Sequence, residues 1–314
     1  MTKQAYDIIG DIHGHVRELE ALLQKLGYDK PDGVYRHQQR KVIFMGDLVD
    51  RGPCQKEVVT IVRRMVEAGT ALCVMGNHEY NAIAYYTEHP AGSGTYLREH
   101  SDKNRHQHKK FLVAYENSAA DYSDVISWFK SLPLWLDLGN LRIVHACWDK
   151  ELMDTLAPQL GPRQTLTDDL LIKASRKGSP EYKAIETLLK GKELKLPDGI
   201  SFADKDGHTR HEIRVKWHDN FSNYRDAYLG PEAARTHVPD HPIAGNYLLE
   251  YSHHNPPVFI GHYWFDGQQP EKLAVNIACV DYSVAHAGGK LVAYRWDGEQ
   301  QIDNEKFISV ARSD

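Results

Sequence analysis

Tyr6-Asp7-Ile8-Ile9-Gly10-Asp11-Ile12-His13-Gly14 is a short β pattern that ends in a turn carrying a carboxylate and an imidazole. The same design returns twice. Residues 41–45 run into Gly46-Asp47-Leu48-Val49-Asp50-Arg51-Gly52, and residues 71–75 run into Gly76-Asn77-His78-Glu79. Helical patterns lie between them. Val16, Leu19, Leu22, Leu23 and Leu26 share one face of residues 15–26, with Gly27 placed as a stop. Val58, Ile61, Val62 and Met65 do the same in residues 55–68, with Gly69 beyond. This β-α-β-α-β rhythm predicts neighbouring parallel strands. All three turns then fall at strand C-terminal ends, the edge of an open α/β sheet where ligands commonly bind.

Further along, the rhythm changes. Residues 80–131 read as largely helical and polar. Residues 134–138 and 141–146 read as strands joined at Gly139-Asn140. Residues 149–245 are rich in charge and turn residues and have no clear period. A β-rich stretch closes the chain at residues 258–261, 273–284, 290–296 and 306–311. We expect a single domain over residues 1–314, with inserts 80–131 and 149–245 forming a cap or subdomain. At 314 residues the chain is long enough for a full core. Its net charge of -5 excludes a general basic field, so bulk nucleic-acid binding is not expected. The four cysteines form no CxxC pair, which argues against a thiolate zinc site and for a reducing compartment. The first strand begins almost at the N-terminus, and no apolar run reaches membrane-spanning length. A cytoplasmic protein with no membrane partner is the expectation.

Two divalent ions about 3.5–4 Å apart can clamp a phosphate and activate a bridging water. Such a centre needs oxygen and nitrogen donors from several strand ends. Asp11 and His13, two residues apart after a strand, can reach one ion. Asp47, at the equivalent strand end of the next unit, is the natural bridging carboxylate. Asn77 offers a neutral oxygen to the second ion. His145, after the apolar 141–144 run, and His262, after 258–261, can add imidazole nitrogen. Each residue alone reads as a turn or structural residue; six in one order read as a metal centre. Donors of this kind without thiolate suit Mn²⁺ first, with Fe or Zn²⁺ as alternatives.

GDxHG, GDxVDRG and GNHE, followed by two strand-end histidines, resemble the phosphoprotein phosphatase branch of the calcineurin-like metallophosphoesterases. The chain length and inserts look like the bacterial group related to symmetrical diadenosine tetraphosphatases. The resemblance implies an α/β fold, a four-layer sandwich of two mixed β-sheets flanked by helices. It implies Asp11, His13 and Asp47 on one ion, and Asp47, Asn77, His145 and His262 on the other. Many relatives end in GHxH, whereas Gly261-His262-Tyr263-Trp264 carries Trp at the last place, so one ion is expected to keep an extra water. The resemblance also suggests His78 as general acid and Asp50 as its orienting partner. The chemistry agrees, because an imidazolium can protonate a leaving alkoxide and a carboxylate stabilises that charged form. Arg51 is the expected phosphate clamp, its planar fork gripping two oxygens, with Asn77 beside it.

The expected activity is hydrolysis of a phosphomonoester, by in-line attack of a metal-bridging hydroxide. The substrate is a phosphorylated protein, nucleotide or small molecule. The alternatives are a symmetrical dinucleoside polyphosphate hydrolase and, from another class, a non-catalytic metal- or nucleic-acid-binding module. A second clamp should come from residues 210–217, where Arg214 is favoured and Lys216 shares its face in a strand. The basic segment 98–110 reads first as a solvated helix face, with contact to a polyphosphate or nucleic-acid tail as the alternative. Tyr263 and Trp264 read as core aromatics or as a base-stacking pair. Asp204-Lys205-Asp206 only faintly resembles an aspartyl-nucleophile phosphatase motif.

Overall fold

The computed structural model describes residues 4–203, 209–245, 248–249, 251–266 and 269–313. The Asp204-Lys205-Asp206 string lies outside the described residues. The strands and helices of the first unit alternate as β1 (Ala5–Ile9), α1 (Val16–Lys25), β2 (Arg40–Phe44), α2 (Gln55–Glu67), β3 (Ala71–Cys73) and α3 (Asn77–Tyr86). Helices α4 (Asp102–Gln107), α5 (Lys109–Tyr115) and α6 (Ala119–Lys130) follow, then strands β4 (Trp135–Asp137) and β5 (Arg142–Val144). Next come α7 (Lys150–Leu156), α8 (Asp168–Ala174) and α9 (Pro180–Lys190). Four short strands lie beyond them: β6 (Glu193–Lys195), β7 (Phe202–Ala203), β8 (Thr209–Arg210) and β9 (Glu212–Arg214). The chain ends in β10 (Val258–Ile260), β11 (Lys272–Ala274), β12 (Ile277–Cys279), β13 (Asp281–Tyr282), β14 (Lys290–Trp296) and β15 (Phe307–Ala311).

Two sheets carry the molecule. In the first, the order is β13-β14-β1-β2-β3, with β15 on β14; β1, β2 and β3 are parallel and β14 is antiparallel to β1. In the second, the order is β11-β12-β10-β5-β4, with β12, β10 and β5 parallel. Side chains alternate across each strand, and the alternation sorts the core. Ile8, Ile43, Ile143 and Phe259 meet in the apolar layer between the sheets. Their neighbours Ile9, Val42, Phe44, Val144, Val258 and Ile260 face outward into the helix-lined core. The fold is therefore helix, sheet, sheet, helix. The mixed sheets arise because each parallel set acquires antiparallel edge strands.

One departure from the sequence expectation has a physical cause. Residues 273–284 form three strands, not one run. Asn276 turns the chain, its Nδ2 donating to the Ser252 and Asn255 carbonyls (3.0 and 3.0 Å), and the chain then crosses from the second sheet to the first between β12 and β13. Helices α3, α5 and α6 bury Ile83, Phe111, Ile126 and Phe129 in the main core, and α7 to α9 bury Leu156, Leu170 and Leu188 there as well. Among the described residues, the stretch beyond α9 adds a small core built on Leu196, Phe202, Ile213, Val215, Tyr224, Ala227 and Val238, while its Trp217 and Leu229 pack into the main core. Among the described residues no helix is long and apolar enough to cross a membrane.

Candidate metal centre

The parallel strands β1, β2, β3, β5, β10 and β12 all end at one edge of the sandwich. Their following turns bring the expected residues together. Of the described non-glycine residues with positive φ, His13, Asp47, Asp50, Arg51, His262 and Trp264 all lie here. Such strain persists where the surroundings over-determine it. Two glycines permit the close approach. Gly46 has φ +83°, and a Cβ there would lie 2.3 Å from the Gly76 nitrogen. A Cβ on Gly261 would lie 2.2 Å from Asp11 Oδ1.

Asp47 stands at the middle, almost fully buried. Its Oδ2 faces His13 Nε2 at 3.7 Å and His78 Nε2 at 3.9 Å. Its Oδ1 faces His145 Nε2 at 3.4 Å and accepts the His78 backbone N–H at 2.9 Å. Two donor clusters thus share one carboxylate: His13, Asp47 and His78 on one side, and Asp47, His145 and His262 on the other, each within 4.8 Å. Asn77 Oδ1 joins the second cluster, 3.1 Å from His145 Nε2 and 2.7 Å from His262 Nδ1. Asp11 adjoins both, accepting the His262 backbone N–H on Oδ2 at 3.1 Å.

The residues present suit divalent cations. His13 donates Nδ1–H to the Val49 carbonyl (2.8 Å), and His145 donates Nδ1–H to the Met45 carbonyl (2.7 Å). Both tautomers are thereby set with the Nε2 lone pair aimed inward, the arrangement that second-shell carbonyls impose on metal-binding histidines. Asp11 Oδ1, His13 Nε2 and His262 Nε2 are buried without a hydrogen-bond partner. The electrostatics point the same way. Burial, reinforced by the carboxylate of Asp281, drives the Asp11 carboxyl well above its usual range. Burial also pushes His145 down, but Asp47 and Asp11 outweigh it and raise it to about 10. Burial and the Arg51 charge drive His13 well down. Buried carboxylates crowded together call for positive charge, and cations would supply it.

His78 is the second residue of helix α3 and turns its Nδ1 to Asp50 Oδ2 at 2.6 Å. Asp50 is buried, which opposes ionisation, yet His108 and His78 outweigh the burial and hold its carboxyl far below the usual range. Arg51 is exposed, and its guanidinium carbon lies 3.3 Å from the centroid of the Trp264 ring. Trp264 therefore holds the expected clamp, an Arg–aromatic stack. Its backbone N–H is fixed by Asp281 Oδ2 at 2.8 Å. Tyr263 is a core residue, its hydroxyl donating to the Ala146 carbonyl at 2.9 Å, which corrects the base-stacking alternative for that ring. Arg214 ends β9, and its charge adds to burial in lowering His262 well below its usual value. Lys216 does not share that face: it lies beyond β9, donates to the Asp226 carbonyl at 3.1 Å and sits 4.6 Å over the Phe221 ring.

The sequence reading left several residues of this edge without a role. Glu79 Oε2 accepts the backbone N–H of Asp47 (2.8 Å) and Gly76 (3.0 Å), and Oε1 accepts that of Leu48 (2.9 Å). It ties the second and third motif turns together. Burial and the Asp47 charge push it up to about 7. Its place three residues after Gly76 is the spacing of a capping box, a signal visible in the sequence. Asp281 follows an apolar strand just as Asp11 and Asp47 do. His108 belongs to the 98–110 segment expected to be a solvated face. Lys103, Arg105, Lys109 and Lys110 are indeed exposed, but His108 is buried against Asp50. Its spacing to Phe111 and Tyr115, at i+3 and i+7, is the signal that marks an inward face.

The model of the calcineurin-like phosphoesterase family matches residues 6–245. The chain belongs to that family. It is similar to the bis(5'-nucleosyl)-tetraphosphatase PrpE [asymmetrical] of Oceanobacillus iheyensis, 33% identical over 149 residues, covering 45% of this chain and 54% of that one. The protein of the same name from Bacillus subtilis is 38% identical over 153 residues, covering 45% and 57%. The chain thus spans about half the length of the curated relatives it matches. Among solved structures, a cold-active protein-tyrosine phosphatase of a psychrophilic Shewanella is 16% identical, with a TM-score of 0.49 over 99% of this chain and 80% of that one.

Proposed function

We propose that this calcineurin-like phosphoesterase is a dinuclear-metal phosphoric-ester hydrolase acting on phosphomonoesters, either phosphoprotein or small molecule. The observation that carries the reading is the Asp47 carboxylate, with one oxygen turned to each of two buried donor clusters. Asp11, adjoining the first cluster, would join His13 and Asp47 on one cation, which leaves His78 of that cluster for the acid role, and Asp47, Asn77, His145 and His262 would hold the other. Mn²⁺ is the favoured metal, because the donors are oxygen and nitrogen only. When bound, the pair supplies Lewis acidity and water activation.

The protein's own groups complete the chemistry. Arg51, braced on Trp264, grips two phosphoryl oxygens and sets the ester in line. Asp50 accepts from His78 Nδ1, which leaves Nε2 facing the centre as the proton donor to the leaving oxygen. Arg214 brings a second positive charge toward the same side. Residues 193–245 are read as a cap whose packing is largely its own and which limits what reaches the edge. The four cysteines are free, in keeping with a reducing cytoplasm.

The test is turnover of a phosphopeptide, a nucleoside monophosphate and diadenosine tetraphosphate by the Mn²⁺-supplemented protein. Release of phosphate from the monoesters, with solvent ¹⁸O entering that phosphate in a single turnover, supports the reading. Isolation of a phosphorylated protein residue on the pathway, or no hydrolysis across the panel, sinks it. The names of the PrpE relatives favour a second reading, hydrolysis of dinucleoside polyphosphates. Selective turnover of diadenosine tetraphosphate would select it. The products would then distinguish symmetrical cleavage, giving two ADP, from asymmetrical cleavage, giving AMP and ATP.

A further inference from the structure

His108 interrupts a helix. Helix α4 ends and α5 begins on it, with φ -101° and ψ 5°. The break lets the ring leave a polar helical surface and drop inward, where it is 3% exposed. There it stacks on Phe111, with centroids 4.7 Å apart and planes 23° apart, and leans on Tyr85 at 5.5 Å. Its Nδ1 lies 2.8 Å from Asp50 Oδ1 and 3.1 Å from Oδ2. Asp50 therefore accepts from two imidazoles, His108 on one side and His78 on the other, while its own backbone N–H donates to Gln55 Oε1 at 2.6 Å.

A carboxylate that only orients a histidine can swing about its Cβ–Cγ bond or take the proton it is meant to leave in place. A second N–H donor removes both freedoms. It fixes the carboxylate plane, and it satisfies lone pairs that would otherwise draw the proton from His78. We propose, building on the phosphoesterase reading, that His108 is a positioning residue: its Nδ1–H locks Asp50, and through Asp50 it holds His78 ready to protonate the leaving oxygen. The insert that carries α4 and α5 thus completes the acid side of the centre.

The role predicts a dependence on leaving group. A p-nitrophenolate departs with little help, whereas a glycerol alkoxide needs its proton. The variants His108→Phe, His108→Gln and His108→Asn are assayed with Mn²⁺ on p-nitrophenyl phosphate and β-glycerophosphate, alongside thermal midpoint and bound Mn²⁺. His108→Phe and His108→Gln are expected to lose about tenfold or more in kcat on β-glycerophosphate and less than about threefold on the nitrophenyl ester. His108→Asn places an amide N–H where Nδ1 stood and is expected to recover most of the loss. In an Asp50→Asn background, His108→Phe should cost nothing further, because the two act as one unit. Equal losses on both esters, an Asn variant no better than Gln, additive losses with Asp50→Asn, or failure of all three variants to fold would each overturn the proposal in favour of a packing role. Wild-type protein that hydrolyses neither ester would overturn the phosphoesterase reading itself, and the role of His108 with it.

Discussion

Residues 5–79 and residues 193–245 are built on opposite terms. In the first, the conformation of every motif turn is enforced from several sides: Gly46 against Gly76, Glu79 on three backbone N–H groups, and strained Asp47 and Asp50 held by buried partners. In the second, strands of two or three residues pair off in twos around seven buried apolar side chains. The first region can hold atoms where cations need them. The second has only a small core of its own, and it is joined to the main core through Trp217 and Leu229. The difference teaches how such a molecule divides its labour. Metal donors sit where packing leaves no choice. From the loosely built part, the charge of Arg214 is felt at His262.

The sharpest way to break that division is to alter its centre. Asp47→Asn removes charge from both donor clusters at once. It should lower bound Mn²⁺ below the wild-type content and kcat on the order of a thousandfold, about 4 kcal/mol of barrier. Elemental analysis and steady-state assay check this. Retention of both metal equivalents would show that Asp47 is not shared between them.

Next in size is a stability effect in the same region. Glu79→Gln turns one of the two acceptor oxygens into an N–H donor that faces a backbone N–H. With the fold's turns tied through this group, the loss should be about 3 kcal/mol, the cost of leaving a buried donor without its acceptor. Denaturant midpoints measure it. A change within about 0.5 kcal/mol would mean that the glycine contacts alone hold the turns.

Acid should find the other region first. His218 adjoins Trp217, its two ring nitrogens are buried without hydrogen-bond partners, and burial lowers it to about 4. An unfolded histidine titrates near 6.5. The neutral ring's contribution is therefore full above about pH 6.5 and is lost as the pH falls toward 4, amounting to about 2 kcal/mol at pH 5. Hydrogen exchange in residues 209–238 should quicken between pH 6.5 and 5 while strands β1 and β2 stay protected. His218→Phe should flatten that response. Simultaneous loosening of both regions would mean that they do not open separately.

How much of this the sequence disclosed follows the same boundary. Strands β1 and β2 and helices α1 and α2 were legible to within a residue, because period-2 and period-3.6 patterns are strong and Gly27 and Gly69 mark the helix ends. The convergence of Asp11, Asp47, Asn77, His145 and His262 was legible as well, since parallel strands send consecutive turns to one edge. What was not legible depends on tertiary contacts without a local pattern. Lys103, Arg105, Lys109 and Lys110 masked His108, although Phe111 and Tyr115 shared its face. The division of 149–245 at α9 was invisible, because charged helices such as α8 and α9 show the same composition as the short strands beyond them. Trp264 was noted as a departure from GHxH. Its stacking under Arg51 goes with a positive φ, held by a backbone contact to Asp281 that no local pattern announces.

The smallest effect lies where the two regions touch. Among the described residues, Arg214 Nε is buried without a hydrogen bond, and it lies 4.0 Å from the carboxylate of Glu193 on the paired strand. A guanidinium with that donor unused has capacity for a substrate phosphate. Arg214→Ala should raise KM for a small phosphoester about tenfold, about 1.4 kcal/mol of binding, with kcat changed much less. An equal effect on kcat would place Arg214 at the charge developing in the transition state, and the cap would then share in the chemistry. Unchanged KM and kcat would leave Arg214 as a strand-pairing partner of Glu193 and confine phosphate recognition to Arg51. The split between KM and kcat thus measures how far the soft region reaches into the rigid one.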